Sequence, residues 1–448
     1  MYRKITALLL AVCLALSLGG CSVSGSATPP DLETDARGEL ALALTADVTG
    51  GHYRAACDNY DYTEQMEGAM STSLLYVSMM SLVKSGGRFQ SIESITPYGD
   101  AYYLGLAFKR QRMTAVVTFE GDLIAGFVFT DWVDPAALNP AFEKLLPEGT
   151  TETDVLFGEP QLPGKLVHPD GSTVVVILLS GSGPNDADET IGPNKPLRDI
   201  AYDLAAQGIS SLRFDKRTKV YGQDIAYDYA FTPREEYVED AANAYAYLLA
   251  HRDGYKKIFF AGHSMGGYML PAIAKEVPDA AGFIYLSANF SPLPELARMQ
   301  VAYLRTLEQP TKAELASYDE MEKQLGRLAS MTDDTPRDTV LFGAYPAYWR
   351  YLKAYDPAAL VQEIEAPMLF IAGGRDYQVP ASELDLWKDA LAEGDENALR
   401  MFHIFPELSH LLIPGEGQPN PDEYAVPGIV DPAVGADIAE FIRTAEGY

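Results

Sequence analysis

The chain has 448 residues, a formal net charge of −29 and a hydrophobic fraction of 47%. This length exceeds a typical domain of about 100–200 residues, so we expect two domains with sizeable cores. Charged residues at 22% and aromatic residues at 11% argue against a disordered chain. The negative charge argues against nucleic acid as a partner and against direct electrostatic binding to anionic lipid.

Residues 1–21 have the pattern of a secretory signal peptide. A basic start precedes an apolar run, and two glycines precede Cys21. The apolar run is short for a transmembrane helix. The stretch resembles the lipobox of bacterial lipoproteins, which implies that Cys21 is acylated and holds the protein at the outer face of the cell membrane through lipid alone. Plain secretion is the alternative, and residues 22–32 form a polar tether in either case.

Cysteine usage is compatible with an extracytoplasmic protein without disulfides. Cys13 would leave with the signal peptide and Cys21 would carry lipid, so only Cys57 remains. The fold must therefore be stabilised by its hydrophobic core.

Residues 33–132 are predicted to form a small α+β domain. Helical patterning, including "LLYVSMMSLV", is followed by alternating runs such as "AYYLGLAFKR" and "RMTAVVTFEG", which are typical of antiparallel strands. His52 and Cys57 lie on an early helix, where a structural role is favoured over metal ligation. The proline-containing segment 133–150 is predicted to be a linker.

Residues 151–448 have a different pattern, in which buried strands alternate with helices. Runs such as "TVVVILLS", "KIFFAGHS" and "APMLFIAGG" are continuous and apolar, as in strands that are buried on both faces. The alternation predicts an α/β fold with a doubly wound, mostly parallel sheet. In such sheets the chemistry lies beyond the carboxyl ends of the strands.

The stretch "GHSMG", residues 262–266, fits the pattern G-x-S-x-G between a predicted strand and a predicted helix. Glycines at both ends permit a cramped turn that exposes the Ser264 hydroxyl above the sheet. An ordinary tight turn without catalytic role is the alternative. A serine nucleophile also needs a base, and the base needs an orienting carboxylate.

Position along the chain selects the candidate base and acid. His410 follows the end of a predicted strand, whereas the other histidines lie in the first domain, ahead of strands, beside the serine or within a strand (His52, His168, His251, His263 and His403). Asp376 follows a buried strand, while Asp356 precedes one and is predicted to cap a helix. The order Ser264, Asp376, His410 is that of an α/β-hydrolase triad.

A glycine-rich loop after the "TVVVI" strand supplies candidate oxyanion donors. An oxyanion hole needs preorganised N–H groups. We assign one to Met265, after the nucleophile, and the second to Ser182, with Gly181 as the alternative. The loop lacks the lysine of a P-loop and does not match G-x-G-x-x-G, which argues against nucleotide binding.

From residue 150 onward the chain resembles the α/β-hydrolase superfamily, and in particular a bacterial esterase and serine-aminopeptidase-like branch. The resemblance rests on "SGSGP" with the acidic run after it, "LRFDKR" and "GHSMGG". Two positions depart from the branch: Ala187 stands where relatives usually have arginine, and Thr218 where they tend to have glycine. Both departures concern loop geometry and specificity. Residues 33–132 resemble a cystatin-like or nuclear-transport-factor-like domain that precedes such hydrolases in lipoproteins.

The acidic run after the glycine-rich loop contains Asp186, Asp188 and Glu189. We expect these side chains to cap the next helix or to pair with Arg217 rather than to bind a cation. The sequence therefore predicts neither a metal nor another cofactor.

A helical insertion at about 290–356 falls between two predicted strands, where caps of this superfamily arise. Tyr345, Tyr348 and Trp349 are candidates for the wall of a substrate pocket that accepts an apolar acyl group. Packing of the cap on the body is an equally weighted alternative.

The favoured function is hydrolysis of carboxylic esters of small or medium acyl groups, with a small-molecule substrate. A serine aminopeptidase or amidase with the same triad is the alternative. Such a peptidase needs a carboxylate for the free amine of its substrate, which Asp186, Asp188, Glu189 or a cap glutamate would supply. A third hypothesis is a non-catalytic lipoprotein that binds envelope glycan or peptide.

Overall fold

The computed structural model describes residues 32, 34–63, 66–67, 70–133, 135, 138, 144–250, 254–307, 310, 312–392 and 398–446. The predicted signal peptide, Cys21 and almost all of the predicted tether lie outside these residues. The described chain divides into two compact units, one holding residues up to 143 together with 424–427, and the other holding the remaining residues from 144 onward. No helix in the described part is long and apolar enough to cross a membrane.

The N-terminal unit has an antiparallel sheet in the order β1-β2-β3-β4. Its strands are β1 (Phe89–Tyr98), β2 (Ala101–Phe108), β3 (Arg112–Glu120) and β4 (Leu123–Asp131), and its helices are Ala36–Gly50, Tyr53–Asp58 and Thr72–Gly86. Because side chains alternate along a strand, Leu104 and Leu106 of β2 share one face, and they pack with Leu44 and Met79 of the helices. Helices followed by a meander are what the residue pattern predicts.

The second unit contains an eight-stranded sheet in the order β12-β11-β10-β9-β7-β8-β6-β5. The strands from β7 to β12 that pair with one another are parallel, and β5 and β6 are antiparallel at one edge. The bounds are β5 (Thr150–Phe157), β6 (Leu162–Pro169), β7 (Val174–Leu179), β8 (Ser210–Phe214), β9 (Lys257–His263), β10 (Gly282–Leu286), β11 (Met368–Gly373) and β12 (Arg400–Phe405).

Helices cover both faces of this sheet. Along β7, Val175 and Ile177 belong to the core on one face, while Val176 and Leu178 belong to the core on the other. Each fully buried side chain of this size contributes roughly 1.5–3 kcal/mol. The fold is therefore the doubly wound α/β architecture that the apolar runs predict.

The helices of the second unit follow the strands in the usual alternation, apart from the insertion between β10 and β11. That insertion contains Leu293–Leu304, Lys312–Ala329 and Pro346–Ala354, followed by the short helix Pro357–Gln362. The other helical segments are Pro196–Ala206, Arg217–Val220, Gly222–Ile225, the π-helix Arg234–Glu239, Asp240–Ala250, Met265–Tyr268, Leu270–Glu276, Ser382–Leu391, the 3-10 helix Pro421–Ala425 and Pro432–Glu446.

Candidate active site

Ser264 lies on a sharp turn between β9 and the short helix Met265–Tyr268. Its backbone has φ 53° and ψ −121°, a strained conformation for a non-glycine residue that costs about 1–3 kcal/mol. A Cβ on Gly262 would lie 2.5 Å from the Gly266 oxygen, and one on Gly266 would lie 2.7 Å from the Leu179 oxygen. The turn closes this tightly because both positions are glycine, and it has the geometry of a nucleophile elbow.

His410 and Asp376 form a buried pair at the ends of β12 and β11. The Nδ1 atom of His410 lies 2.7 Å from Oδ2 of Asp376, and Oδ1 accepts the N–H groups of Gln378 and Val379 at 2.8 Å. A carboxylate only accepts hydrogen bonds, so the network assigns the proton of the neutral imidazole to Nδ1. The lone pair on Nε2 is then free to take a proton.

Close backbone packing brings this pair together. A Cβ on Gly373, the last residue of β11, would lie 2.6 Å from the Ser409 oxygen, and the N–H of Arg375 donates to the Leu408 oxygen at 2.9 Å. The segment before His410 therefore passes directly against the segment before Asp376.

A contact through His263 places His410 next to the elbow. Nε2 of His263 lies 2.9 Å from the backbone oxygen of His410, and the two rings are 4.7 Å apart. The Ser264 hydroxyl and Nε2 of His410 make no hydrogen bond with any residue that the structure describes. The structure thus joins Asp376 to His410 and places His410 beside the turn, without a hydrogen bond from Ser264 to the imidazole.

The glycine-rich loop after β7 lies against Ser264. A Cβ on Gly181 would lie 3.0 Å from Cβ of Ser264. The Gly181 N–H donates to Oε1 of Glu189 at 2.7 Å, so this group already has an acceptor. Within the described residues, the N–H groups of Ser182 and Met265 have none. This geometry favours Ser182 over Gly181 as an oxyanion donor.

The acidic run has other partners than the sequence suggested. Asp188 lies 2.8 Å from Nε of Arg213 and 3.3 Å from Nζ of Lys195. Burial disfavours the Asp188 carboxylate, but these cations outweigh it and lower its pKa. The Oδ1 atom of Asp186 accepts the Thr190 N–H at 2.8 Å.

The expectation that these acids cap the next helix or pair with Arg217 is therefore wrong. The helix Pro196–Ala206 has no side-chain cap at its start. Arg217 pairs instead with Asp240, whose carboxylate is fully buried and accepts Nε through both of its oxygens. Hydrogen bonds between a guanidinium and a carboxylate are charge-assisted, so they are stronger than hydrogen bonds between neutral groups.

Glu189 has a role that the sequence did not reveal. Its backbone is left-handed, with φ 54°, and its side chain is buried. Besides the Gly181 N–H, it binds Nδ1 of His263 at 2.9 Å. It thereby connects the glycine-rich loop after β7 to the histidine that contacts the backbone of His410.

A buried lysine lies behind the same loop. Lys216 Nζ is 2.9 Å from the Gly181 oxygen, 2.7 Å from Oε1 of Glu236 and 2.6 Å from the Tyr237 hydroxyl. The sequence did not reveal that Lys216, Glu236 and Tyr237 come together at this loop. The available signal was the position of Lys216 just beyond β8, which neighbours β7 in the sheet.

The three aromatic candidates of the cap make different contacts. The Tyr348 hydroxyl donates to Oε2 of Glu236 at 2.8 Å and lies 3.9 Å from the Met265 sulfur. Trp349 donates from Nε1 to the Leu341 oxygen, and Tyr345 donates to the Ala226 oxygen, each at 2.7 Å. Tyr348 thus contacts a residue of the elbow.

The remaining histidines have other surroundings. His168 Nδ1 lies 3.0 Å from the hydroxyl groups of Ser210 and Tyr255, near the start of β8. His403 pairs with Asp437, and His52 pairs with Asp47 in the N-terminal unit. His251 lies outside the described residues. In the described part, no group of three or more His, Cys, Asp or Glu side chains is arranged to hold a metal ion.

The doubly wound sheet, the elbow after β9 and the Asp–His pair after β11 and β12 define an enzyme of the α/β-hydrolase class. The family described as serine aminopeptidase, S33, matches residues 195–418. The chain belongs to this family.

The chain is similar to known esterases. It is 36% identical over 347 residues to esterase EstD of Thermotoga maritima, across 77% of this chain and 79% of the relative. Among solved structures, an esterase of Pyrococcus furiosus has a TM-score of 0.43 at 18% identity, over 66% of this chain and 91% of its own. Est1E of Butyrivibrio proteoclasticus has a TM-score of 0.41 at 17% identity, over 66% and 99%.

Proposed function

We propose that this protein is a serine hydrolase that cleaves carboxylic esters of small or medium acyl groups through an acyl-enzyme. The observation that carries the proposal is the buried Asp376–His410 pair, held next to the Ser264 elbow through His263. The similarity to esterase EstD supports an ester as the substrate.

In the proposed reaction, the Ser264 oxygen attacks the ester carbonyl carbon while His410 Nε2 takes the hydroxyl proton. The negative oxygen of the tetrahedral intermediate accepts the N–H groups of Met265 and Ser182. The intermediate collapses, the imidazolium gives its proton to the leaving alcohol, and an acyl-enzyme remains. A water molecule then attacks by the same route and releases the carboxylic acid and free Ser264. No cofactor takes part in these steps.

Proton transfer requires a hydrogen bond between the Ser264 hydroxyl and Nε2 of His410. We propose that it forms by rotation of the serine side chain when substrate binds. Catalytic hydrogen bonds commonly shorten or align only in the substrate complex.

The partners of Asp188, Glu189 and Glu236 argue against these three carboxylates as the site for the free amine of an aminopeptidase substrate. An aminopeptidase needs an uncommitted carboxylate close to the nucleophile. Glu189 is committed to Gly181 and His263, and Asp188 is committed to Arg213 and Lys195. Glu236, which contacts the cap through Tyr348, is paired with Lys216.

A substrate panel tests this proposal. Purified protein is assayed on p-nitrophenyl esters of increasing acyl length and, in parallel, on aminoacyl p-nitroanilides. We expect turnover of short and medium esters and little turnover of the anilides. A preference for the anilides would instead establish the aminopeptidase alternative.

Covalent labelling separates an enzyme from a non-catalytic binder. A fluorophosphonate probe should label the wild-type protein and not Ser264→Ala, and the variant should lose about 10³-fold or more in kcat. Equal labelling of the two proteins would remove Ser264 as the nucleophile.

We propose that Tyr348 bounds the acyl site on the Met265 side, while Tyr345 and Trp349 support the cap. The Tyr348–Met265 contact is the basis for this division. Tyr348→Phe keeps the ring and should leave the acyl-length preference unchanged, whereas Tyr348→Ala should extend it to longer acyl groups. An identical preference in wild type and Tyr348→Ala would exclude Tyr348 from the site.

We also propose that the protein is lipid-anchored outside the cytoplasm through Cys21. The basis is the signal-peptide pattern and the small residues before this cysteine. Metabolic labelling with an alkyne fatty acid should mark the wild-type protein and not Cys21→Ser. Release of the wild-type protein in soluble, unlabelled form would support plain secretion instead.

A further inference from the structure

We propose that Lys216 is a positioning residue of the oxyanion hole, acting on the peptide group that links Gly181 to Ser182. Its ammonium group orients and polarises this peptide so that the Ser182 N–H is a strong donor to the oxyanion. The inference rests on the proposed function and deepens it.

The first argument is the geometry of the peptide group. The Gly181 carbonyl oxygen accepts from Lys216 Nζ at 2.9 Å, from the Tyr237 hydroxyl at 2.9 Å and from Nδ2 of Asn185 at 3.2 Å. In a trans peptide group the C=O and N–H bonds point in opposite directions. Three donors on the oxygen therefore fix the direction of the Ser182 N–H.

The preceding peptide group is fixed as well. The Gly181 N–H donates to Glu189 at 2.7 Å, so Gly181 is held at both its N–H and its C=O. Gly181 also packs against the Ser264 side chain, with a Cβ-to-Cβ distance of 3.0 Å if a side chain is added. The fixed peptide thus lies directly beside the nucleophile.

The second argument is electrostatic. The Lys216 side chain is 4% exposed, and its ion pair with Glu236 is equally buried. A cation on a carbonyl oxygen draws electron density away from the amide nitrogen and makes the N–H more polar. Hydrogen bonds polarise one another in this way, and a low dielectric strengthens the effect. A buried ammonium behind the carbonyl thus strengthens the donor on the other side.

The three donors of the ammonium group have three partners: the Glu236 carboxylate, the Tyr237 hydroxyl and the Gly181 carbonyl. The Lys216 backbone is also attached to the loop, because its N–H donates to the Asn185 oxygen at 3.0 Å. The contact with Gly181 links this lysine to the site.

The test uses the full mature chain and the double variant Lys216→Met/Glu236→Gln. Removing both charges together avoids a buried unpaired carboxylate, which by itself would destabilise the fold. Lys275→Met is the matched control, since it removes an exposed lysine whose Nζ lies 3.9 Å from Glu363. The kinetic constants are measured on a p-nitrophenyl ester, and affinity is measured for a trifluoromethyl ketone, which forms a tetrahedral oxyanion on the serine.

We expect the double variant to lose ~10–100-fold in kcat with KM changed by less than about threefold. Loss of a complete oxyanion donor costs about 10²–10³-fold, and a weakened donor should cost less. Affinity for the ketone should fall by a similar factor, which a merely structural role would not produce. Lys275→Met should match the wild type in both measurements.

A folded double variant with wild-type kcat and ketone affinity would overturn the inference. If the double variant does not fold, Tyr237→Phe provides the decision, because it removes one hydroxyl donor to Gly181. That variant should lose about 3–10-fold in kcat, in line with a lost hydrogen bond of about 1 kcal/mol. An unchanged kcat in Tyr237→Phe would also contradict the inference. Ser264→Ala separates failure of the proposed function from failure of this inference. If Ser264→Ala is inactive while the Lys216 variants behave as wild type, only the role of Lys216 is rejected.

Discussion

Nε2 of His263 lies 2.9 Å from the backbone oxygen of His410, and Nδ1 of the same ring lies 2.9 Å from Glu189. Both ring nitrogens therefore face acceptors, which suits a doubly protonated imidazolium. Burial opposes the charge on His263, but the neighbouring Glu189 carboxylate and these hydrogen bonds outweigh it and raise its pKa. The Gly181 N–H also donates to Glu189, so a buried chain of hydrogen bonds connects the glycine-rich loop after β7 to the backbone of His410.

The Glu189–His263 pair should give a pH-dependent contribution to stability. A histidine whose pKa is raised on folding binds its proton more tightly in the folded state. The stabilisation is therefore complete below the unfolded pKa of about 6.5 and is lost as pH rises through the folded value. Glu189→Gln should lower the free energy of unfolding by on the order of 2 kcal/mol at about pH 6, and by less at about pH 9. Urea unfolding at both pH values measures this, and an equal loss at both would contradict it.

The orientation of Asp376 predicts a large effect of Asp376→Asn. One carboxylate oxygen accepts two backbone N–H groups and the other accepts His410 Nδ1. An asparagine can offer its single oxygen to one side only. If its NH₂ group faces Nδ1, the imidazole must carry its proton on Nε2 and cannot act as the base. We expect kcat to fall by about 10³–10⁴-fold.

The matched control for this prediction is Asp437→Asn. Asp437, in the helix Pro432–Glu446, also lies 2.7 Å from the Nδ1 atom of a histidine. That histidine is His403, which lies within β12. The same chemical change there should leave kcat within about twofold of wild type. Comparable losses in the two variants would show that the effect is not specific to the Asp376–His410 pair.

Much of the fold was predictable because the buried strands have a plain hydrophobic signal. Runs such as "TVVVILLS" and "KIFFAGHS" correspond to β7 and β9, whose side chains are buried on both faces. The candidate acid and base were predictable from where strands end. In a parallel sheet the carboxyl ends lie at one edge, so Asp376 and His410 meet although 34 residues separate them.

The network around Gly181 was not predictable in this way. Lys216 and Glu236 are charged residues in polar stretches, and such stretches are usually on the surface. They are nevertheless buried and paired with each other, with side chains 4% and 5% exposed. Neither periodicity nor motif spacing encodes a contact between side chains from separate segments of the chain. The expected partner of Arg217 was wrong for the same reason.

Gly181 should not tolerate a side chain without loss of activity. An added Cβ would lie 3.0 Å from Cβ of Ser264 and 3.1 Å from Oε1 of Glu189. Relief of these contacts requires shifts of a few tenths of an ångström in the loop or the nucleophile. Since small misplacements of catalytic groups lower rates strongly, we expect Gly181→Ala to reduce kcat/KM by about 10–100-fold while the protein still folds.

Gly222→Ala is the control for added volume and lost chain entropy. A Cβ at Gly222 has no neighbour within 4 Å, and the residue begins the helix Gly222–Ile225. The substitution should leave kcat/KM unchanged and keep or raise the melting temperature. Wild-type kcat/KM in Gly181→Ala, measured beside this control, would show that the loop has more room than the structure indicates.

Asp215 should reduce stability at neutral pH. Burial, together with the nearby Asp186 and Asp188 carboxylates, raises the pKa of Asp215 to about 6. The hydrogen bond from the Ala187 N–H lowers this pKa but does not cancel the effect of burial. The folded state then binds this proton more tightly than the unfolded chain, so stability falls as pH rises from about 3.9 to about 6 and stays lower above that. Asp215→Asn keeps an oxygen that can accept the Ala187 N–H. The free energy of unfolding of this variant, relative to that of the wild type, should increase by on the order of 2 kcal/mol between about pH 4.5 and pH 7.5. Chemical denaturation at these pH values measures that gain; a pH-independent difference would mean that Asp215 titrates normally in the folded protein.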